Sequence, residues 1–84
     1  MNSISWSKKA RKQLLKLPQQ DAVVIYDGVE ELKQFPESRN VKRLTNHQYD
    51  YRLRVGRYRV LFDFDGEVKV VSIEEVKKRD GQTY

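Results

Sequence analysis

The sequence predicts an α+β protein: an N-terminal strand and helical hairpin packed on a twisted, mostly antiparallel four-stranded sheet, in a single domain spanning 1–84. Two patterns carry that expectation. Apolar side chains recur at helical spacing up to Phe35-Pro36, and from Tyr49 onward the period switches to two. Length supplies the third reason, because a chain of 84 residues supports one thin core and no second domain.

Each element has its own justification. Ile4 and Trp6 alternate with serines, which suits a short strand over Asn2 to Trp6. Ser7 is a helix cap, and Ala10, Leu14 and Leu17 then share one face, opposite Lys8, Lys9, Arg11, Lys12 and Lys16. Pro18 ends that helix, because the residue before a proline avoids the α region. A second helix starts at Gln20 or Asp21 and carries the stripe Ala22, Ile25, Val29 and Leu32, with its acids mostly opposite. Phe35-Pro36 closes it.

From Glu37 to His47 no period is visible, and the segment reads as a basic loop with Arg39, Lys42 and Arg43. Tyr49, Tyr51, Leu53 and Val55 then alternate with Asp50, Arg52 and Arg54, and Gly56-Arg57 is a tight turn. Tyr58 to Phe64 is the returning strand. Asp65-Gly66 reads as a hairpin turn with positive φ at both central residues, and Glu67 to Ile73 as the next strand. The tail from Val76 to Tyr84 is basic at Lys77, Lys78 and Arg79.

Composition narrows the classes of function. The chain is 38% hydrophobic and 35% charged, polar for a globular domain yet able to fold. It has no cysteine, so disulfides and thiolate metal sites are excluded, and a reducing cytoplasm suits it. No apolar run approaches the roughly 18 residues of a membrane span, and no signal-peptide stretch is expected at the N-terminus. The net charge is +5, unevenly spread. Residues 39–59 carry seven basic groups against Asp50, whereas residues 17–38 carry five acids against Lys33. A polarised basic surface attracts a polyanion or an acidic partner chain.

A two-residue turn at Gly56-Arg57 fixes a register. Val55 faces Tyr58, Arg54 faces Arg59, Leu53 faces Val60 and Arg52 faces Leu61. Tyr51, Leu53, Val55, Tyr58, Val60 and Phe62 then lie under the helices, and Arg52, Arg54 and Arg59 share the opposite face. Like charges directly opposed on a sheet cost roughly 0.2–1 kcal/mol, so the arrangement points to use. A solvated face neutralised by Asp63 and Asp50, and guarded against edge pairing, is the structural alternative. Arginine suits phosphate, because its planar fork donates paired, charge-assisted hydrogen bonds. Tyr49 and Tyr84 add surfaces on which a base can stack. His47, the one histidine, reads as a loop residue. No metal-ligand spacing, glycine-rich phosphate loop or Ser/His/Asp set is present, so neither metal-assisted hydrolysis nor a cofactor is expected.

Val41-Lys42-Arg43-Leu44, followed by Tyr51-Arg52-Leu53-Arg54-Val55-Gly56-Arg57-Tyr58-Arg59-Val60-Leu61-Phe62, resembles the central signature of the RelE/ParE toxin superfamily. Ala10, Leu14, Leu17 and Pro18 are similar to the first helix of those proteins, and Val76-Lys77-Lys78-Arg79 with Tyr84 to their C-terminal segment. The resemblance implies the toxin of a type II toxin-antitoxin system. In its RelE branch it implies a ribosome-dependent mRNA endonuclease that inhibits translation by metal-independent attack of a ribose 2′-hydroxyl on phosphate. Arg52 and Arg54 then occupy the basic strand positions, Arg59 stabilises the phosphate charge, Arg79 supports the leaving 5′-oxygen, and Tyr84 matches the catalytic tyrosine. Lys42, Arg43, Arg57, Lys77 and Lys78 would bind RNA. The implied partners are a cognate antitoxin, the ribosome and mRNA, with operator DNA reached only through the antitoxin complex and no membrane. A ParE-like inhibitor of DNA gyrase that acts by binding, and a relic that only binds its antitoxin, remain alternatives. The general base also stays open, because arginine is a very poor one.

Overall fold

A computed structural model describes residues 1–78. Its elements run β1 (Ser3–Trp6), α1 (Lys8–Leu15), α2 (Gln19–Glu30), a 3-10 turn (Glu31–Gln34), β2 (Val41–Arg43), β3 (Tyr51–Val55), β4 (Tyr58–Asp65) and β5 (Val70–Lys78). The strands form one sheet in the order β1-β5-β4-β3-β2, antiparallel except for the parallel β1–β5 pair. The α+β class is as the sequence predicts, with five strands rather than four. The additional strand is β2, inside the segment expected to be a loop. Three residues are too few to display a period, and pairing with β3 supplies what the local pattern does not.

α1 begins where the sequence places it. The Ser7 hydroxyl oxygen accepts a hydrogen bond from the Ala10 amide (3.0 Å) and donates one to the Glu74 carbonyl (3.1 Å), so the cap also ties the helix to β5. β1 accompanies β5 only as far as the Trp6–Ile73 pair. Beyond it, Gln13 on α1 takes over, accepting from the Val76 amide through Oε1 at 2.7 Å. A helix side chain thereby satisfies a strand edge that would otherwise be open.

Ile25, Val29 and Leu32 are fully buried, and Ala22 is half-buried at the margin of that stripe. α2 lies so close to β3 that a Cβ on Gly28 would stand 3.0 Å from Val55 Cγ2. The helical layer meets Leu53, Tyr58, Val60, Phe62, Val71, Ile73 and Val76 from the sheet, with Tyr51 and Val55 packed at the edge of the core. Phe35 anchors one end of it, its ring 4.9–5.4 Å from those of Tyr51, Phe62 and Phe64. The buried amide of Asn2 donates to the carbonyls of Phe35 (2.7 Å) and Leu32 (3.1 Å), which holds the start of β1 against the end of the helical segment. No helix among the described residues is long and apolar enough to cross a membrane.

The two hairpin turns differ. Gly56 has φ +56° and Arg57 keeps a negative φ, the pattern of a turn with glycine at its first central position. The β4–β5 connection is longer than the expected Asp65-Gly66 turn. Asp65 ends β4, Gly66 to Lys69 form the loop, and Lys69 carries the positive φ of 55°. Asp65 Oδ1 accepts from the amides of Glu67 (2.9 Å) and Val68 (3.4 Å), so the aspartate closes the turn through its side chain. Accordingly β5 starts at Val70, later than expected, and continues to Lys78.

Candidate functional site

The β3–β4 register is the one read from the sequence, with Arg54 opposite Arg59 and Arg52 opposite Leu61. Across β4–β5, Arg59 faces Lys77 and Leu61 faces Glu75. Across β2–β3, Lys42 faces Arg52. Residues opposed in a ladder share a face of the sheet. The face turned away from the helices therefore carries one row of Arg54, Arg59 and Lys77, and beside it a row of Lys42, Arg52, Leu61 and Glu75.

Arg54, Arg59, Lys42 and Lys77 are exposed. Arg52 is half-buried, and its Nε is shielded from solvent with no hydrogen-bond partner among the described residues. Leu61, between Arg52 and Glu75, is only 4% exposed although it belongs to the face opposite the main core. It forms an apolar centre ringed by charge.

Among the described residues, no carboxylate comes within ion-pair distance of Arg52, Arg54 or Arg59. Asp63, one of the two acids expected to neutralise the face, accepts the Asp50 amide through Oδ1 at 2.8 Å, and Asp65 closes its turn. Glu75 is the exception on this face, and its partners are lysines. Its Oε2 is 3.6 Å from Lys77 Nζ and its Oε1 is 3.6 Å from Lys9 Nζ on α1. Two like-charged cross-strand contacts, Arg54–Arg59 and Arg59–Lys77, thus run through Arg59, each opposing stability by roughly 0.2–1 kcal/mol.

Not every basic residue assigned to the site lies on this face. Arg43 is opposite Tyr51 and Lys78 is opposite Tyr58, so both belong to the helix-side face, at its exposed edges. Arg57 is exposed in the β3–β4 turn. Arg79 and Tyr84 lie outside the described residues. His47 is exposed, and its Nδ1 accepts the Tyr49 amide at 3.1 Å within its own loop. The contact of Lys9 with Glu75 has no local sequence signal, because it joins residues 66 positions apart through the docking of α1. Glu75 also escapes a strict period-two reading, since the bulge beside Phe62 leaves Glu74 without a register partner and restarts the alternation.

On the helix side, a groove of about 400 Å³ lies between α2 and the β3–β4 turn, lined by Asp21, Val24, Val55, Arg57 and Tyr58 among others. The Tyr58 hydroxyl donates to Asp21 Oδ2 at 2.8 Å. That bond, followed by burial and the Asp21 charge, raises the phenol above its ordinary pKa of 10.0 against the opposing effect of Arg57. The groove's carboxylate is therefore committed to a structural bond, and the Arg52, Arg54 and Arg59 cluster lies on the other face.

The family profile described as the ParE toxin of the type II toxin-antitoxin system parDE matches residues 4–82. The chain belongs to the ParE toxin family. No curated protein sequence matches it. Among solved structures, this ParE-family chain resembles a chain of the archaeal RelE–RelB complex from Pyrococcus horikoshii OT3, with 28% identity over 98% of both chains and a TM-score of 0.81. It resembles a chain of the RelBE2 toxin-antitoxin complex from Mycobacterium tuberculosis at 27% identity, covering 93% of this chain and 98% of that one, with a TM-score of 0.80. The isolated E. coli RelE toxin shares the fold at 18% identity, over 98% of this chain and 88% of that one, again with a TM-score of 0.80. The protein is a toxin of the RelE/ParE superfamily.

Proposed function

We propose that this toxin is a ribosome-dependent mRNA endonuclease, acting in the cytoplasm without a metal, whose arginine face holds the scissile phosphate. The observation that carries this reading is the Arg54–Arg59–Lys77 row, with Arg52 beside it and no carboxylate paired to any of the three arginines among the described residues. In the proposed reaction the ribose 2′-hydroxyl attacks the adjacent phosphate. Charge develops on the equatorial oxygens of a pentacoordinate phosphorus, and fixed cations aimed at those oxygens lower the barrier. Arg59, at the centre of the row, is assigned to that charge. Arg52 and Arg54 orient the phosphate from β3, and Lys42 and Lys77 extend the contact to the flanking backbone. Arg57 at the turn and Arg43 and Lys78 at the edges are assigned to more distant phosphates. Arg79 is assigned to the leaving oxygen, and Tyr84 to stacking on a base beside the cut.

An antitoxin partner is part of the proposal, since the Pyrococcus and Mycobacterium relatives are seen in complex with theirs. An acidic segment laid over Arg52, Arg54 and Arg59 would silence the toxin by taking the place of RNA. Binding to operator DNA would then occur only through the joint complex.

A second reading is favoured by one observation, the ParE description of the matching family. In that reading the chain poisons DNA gyrase by binding, and the basic face meets a protein or DNA. Mapping breaks in a translated mRNA, with and without ribosomes, separates the two. Cleavage only with ribosomes is expected, and intact mRNA with an induced DNA-damage response would overturn the endonuclease. Arg59→Ala is expected to lower cleavage at least ~100-fold while the protein keeps its melting temperature, because the side chain is exposed and repelled by its neighbours. Full toxicity of that variant would remove Arg59 from the mechanism.

A further inference from the structure

The proposed cleavage needs a group to take the proton from the 2′-hydroxyl, and a guanidinium does not serve, since it stays protonated at any working pH. The arginine face carries a carboxylate among its cations. Glu75 shares a row with Arg52, across Leu61, and is two residues from Lys77, which faces Arg59. It reaches this face because of the β-bulge. The register jumps from Leu61–Glu75 to Phe62–Ile73, and Glu74 is the additional residue. An unbroken ladder that keeps Ile73 in the core would give Glu75 the parity of the core face. Bulges recur beside active sites because they re-aim a side chain in this way.

The environment of Glu75 is that of a held but available base. Its side chain is 13% exposed, with one oxygen 3.6 Å from Lys9 Nζ and the other 3.6 Å from Lys77 Nζ. At that separation an ammonium orients a carboxylate by charge without forming a hydrogen bond, and among the described residues no donor takes up the oxygen lone pairs. The other acids on this face differ: Asp63 accepts from the Asp50 amide and Asp65 from two amides of its turn.

We infer that Glu75 is the proton acceptor for the RNA 2′-hydroxyl, an inference that rests on the endonuclease reading. The hydroxyl proton passes to a Glu75 oxygen as the 2′-oxygen forms its bond to phosphorus. The bond from phosphorus to the 5′-oxygen breaks, and that oxygen takes a proton from water. The products are a 2′,3′-cyclic phosphate and a 5′-hydroxyl, and Glu75 returns its proton to solvent. Arg59 and Arg52 carry the phosphate charge, and Lys9 and Lys77 fix the carboxylate.

The test uses the full chain, ribosomes programmed with a defined mRNA, and single-turnover cleavage beside ribosome-binding measurements. Glu75→Gln keeps the size of the side chain and removes the base. It is expected to lower the cleavage rate about 10²–10⁴-fold with ribosome affinity unchanged. Glu75→Asp retains the charge, draws it back by one methylene and should fall between the two; it also serves should Glu75→Gln melt early. Added formate at constant ionic strength should restore part of the activity of Glu75→Ala, and Glu74→Gln should cleave as the wild type does. Wild-type cleavage by Glu75→Gln, or rate and affinity falling together, would overturn the role given to Glu75 while leaving the endonuclease standing. A wild-type protein that cuts nothing on programmed ribosomes would instead overturn the endonuclease reading on which it rests.

Discussion

Tyr58 and Arg59 are neighbours on β4 with opposite duties. Tyr58 turns inward, 7% exposed, and spends its hydroxyl on Asp21, whereas Arg59 turns outward with no acid paired to it among the described residues. Period-two alternation makes that division legible from sequence, and the Gly56-Arg57 turn fixes which residues oppose each other. The Tyr58–Asp21 bond is not legible, because it joins α2 to β4 across the core. It has a measurable pH signature. The folded phenol titrates above its ordinary 10.0, so the bond's contribution is complete below pH 10 and disappears as pH rises through the raised value. Tyr58→Phe is expected to cost about 1 kcal/mol near neutrality. The gap between the two proteins in urea midpoint should close above pH 10, and a gap that persists unchanged at high pH would refute the assignment.

Elements were legible in proportion to their length and to how local their signals are. α2 announces itself through Ile25, Val29 and Leu32, which are fully buried, and α1 through the Ser7 cap. β2 does not, since it is held by pairing to β3 and flanked by bonds from the Leu44 amide to the Asp50 carbonyl and the Arg54 amide to the Asn40 carbonyl. The β4–β5 loop misleads for a related reason: Asp65-Gly66 has the composition of a two-residue turn, yet the Asp65 side chain bonds forward and draws four residues into the loop. Part of the basic cluster was legible as well. Arg52, Arg54 and Arg59 follow from parity, whereas Arg43 and Lys78 fall on the other face once the neighbouring strand sets their register. The α1–β5 junction offers the test at this scale. Ser7→Ala removes both the helix cap and the bond to the Glu74 carbonyl, and is expected to cost about 1–2 kcal/mol. Thermal unfolding gives the total, and faster hydrogen exchange at the Val76 amide would show that α1 has loosened from the strand edge it covers.

Across the whole molecule, charge is sorted by layer. The arginine face and the exposed side of α1 are basic, whereas the exposed acids Asp27 and Glu31 lie along α2 and the 3-10 turn that continues it. If Arg52, Arg54 and Arg59 each meet a phosphate, log affinity for single-stranded RNA should fall with log salt at a slope of about −2. Arg59→Ala should flatten that slope by about 0.7, as measured by titration over a range of potassium chloride. An unchanged slope would mean that Arg59 touches no phosphate.

The covering of β5 by Gln13 reaches beyond stability. Main-chain groups left bare at a sheet border recruit strands from other molecules, and on this side a side-chain amide already fills the vacancy. Loss of that amide by Gln13→Ala would expose a seam for self-association at high concentration. The same helix that brings Lys9 to Glu75 therefore also keeps one copy from zipping onto the next.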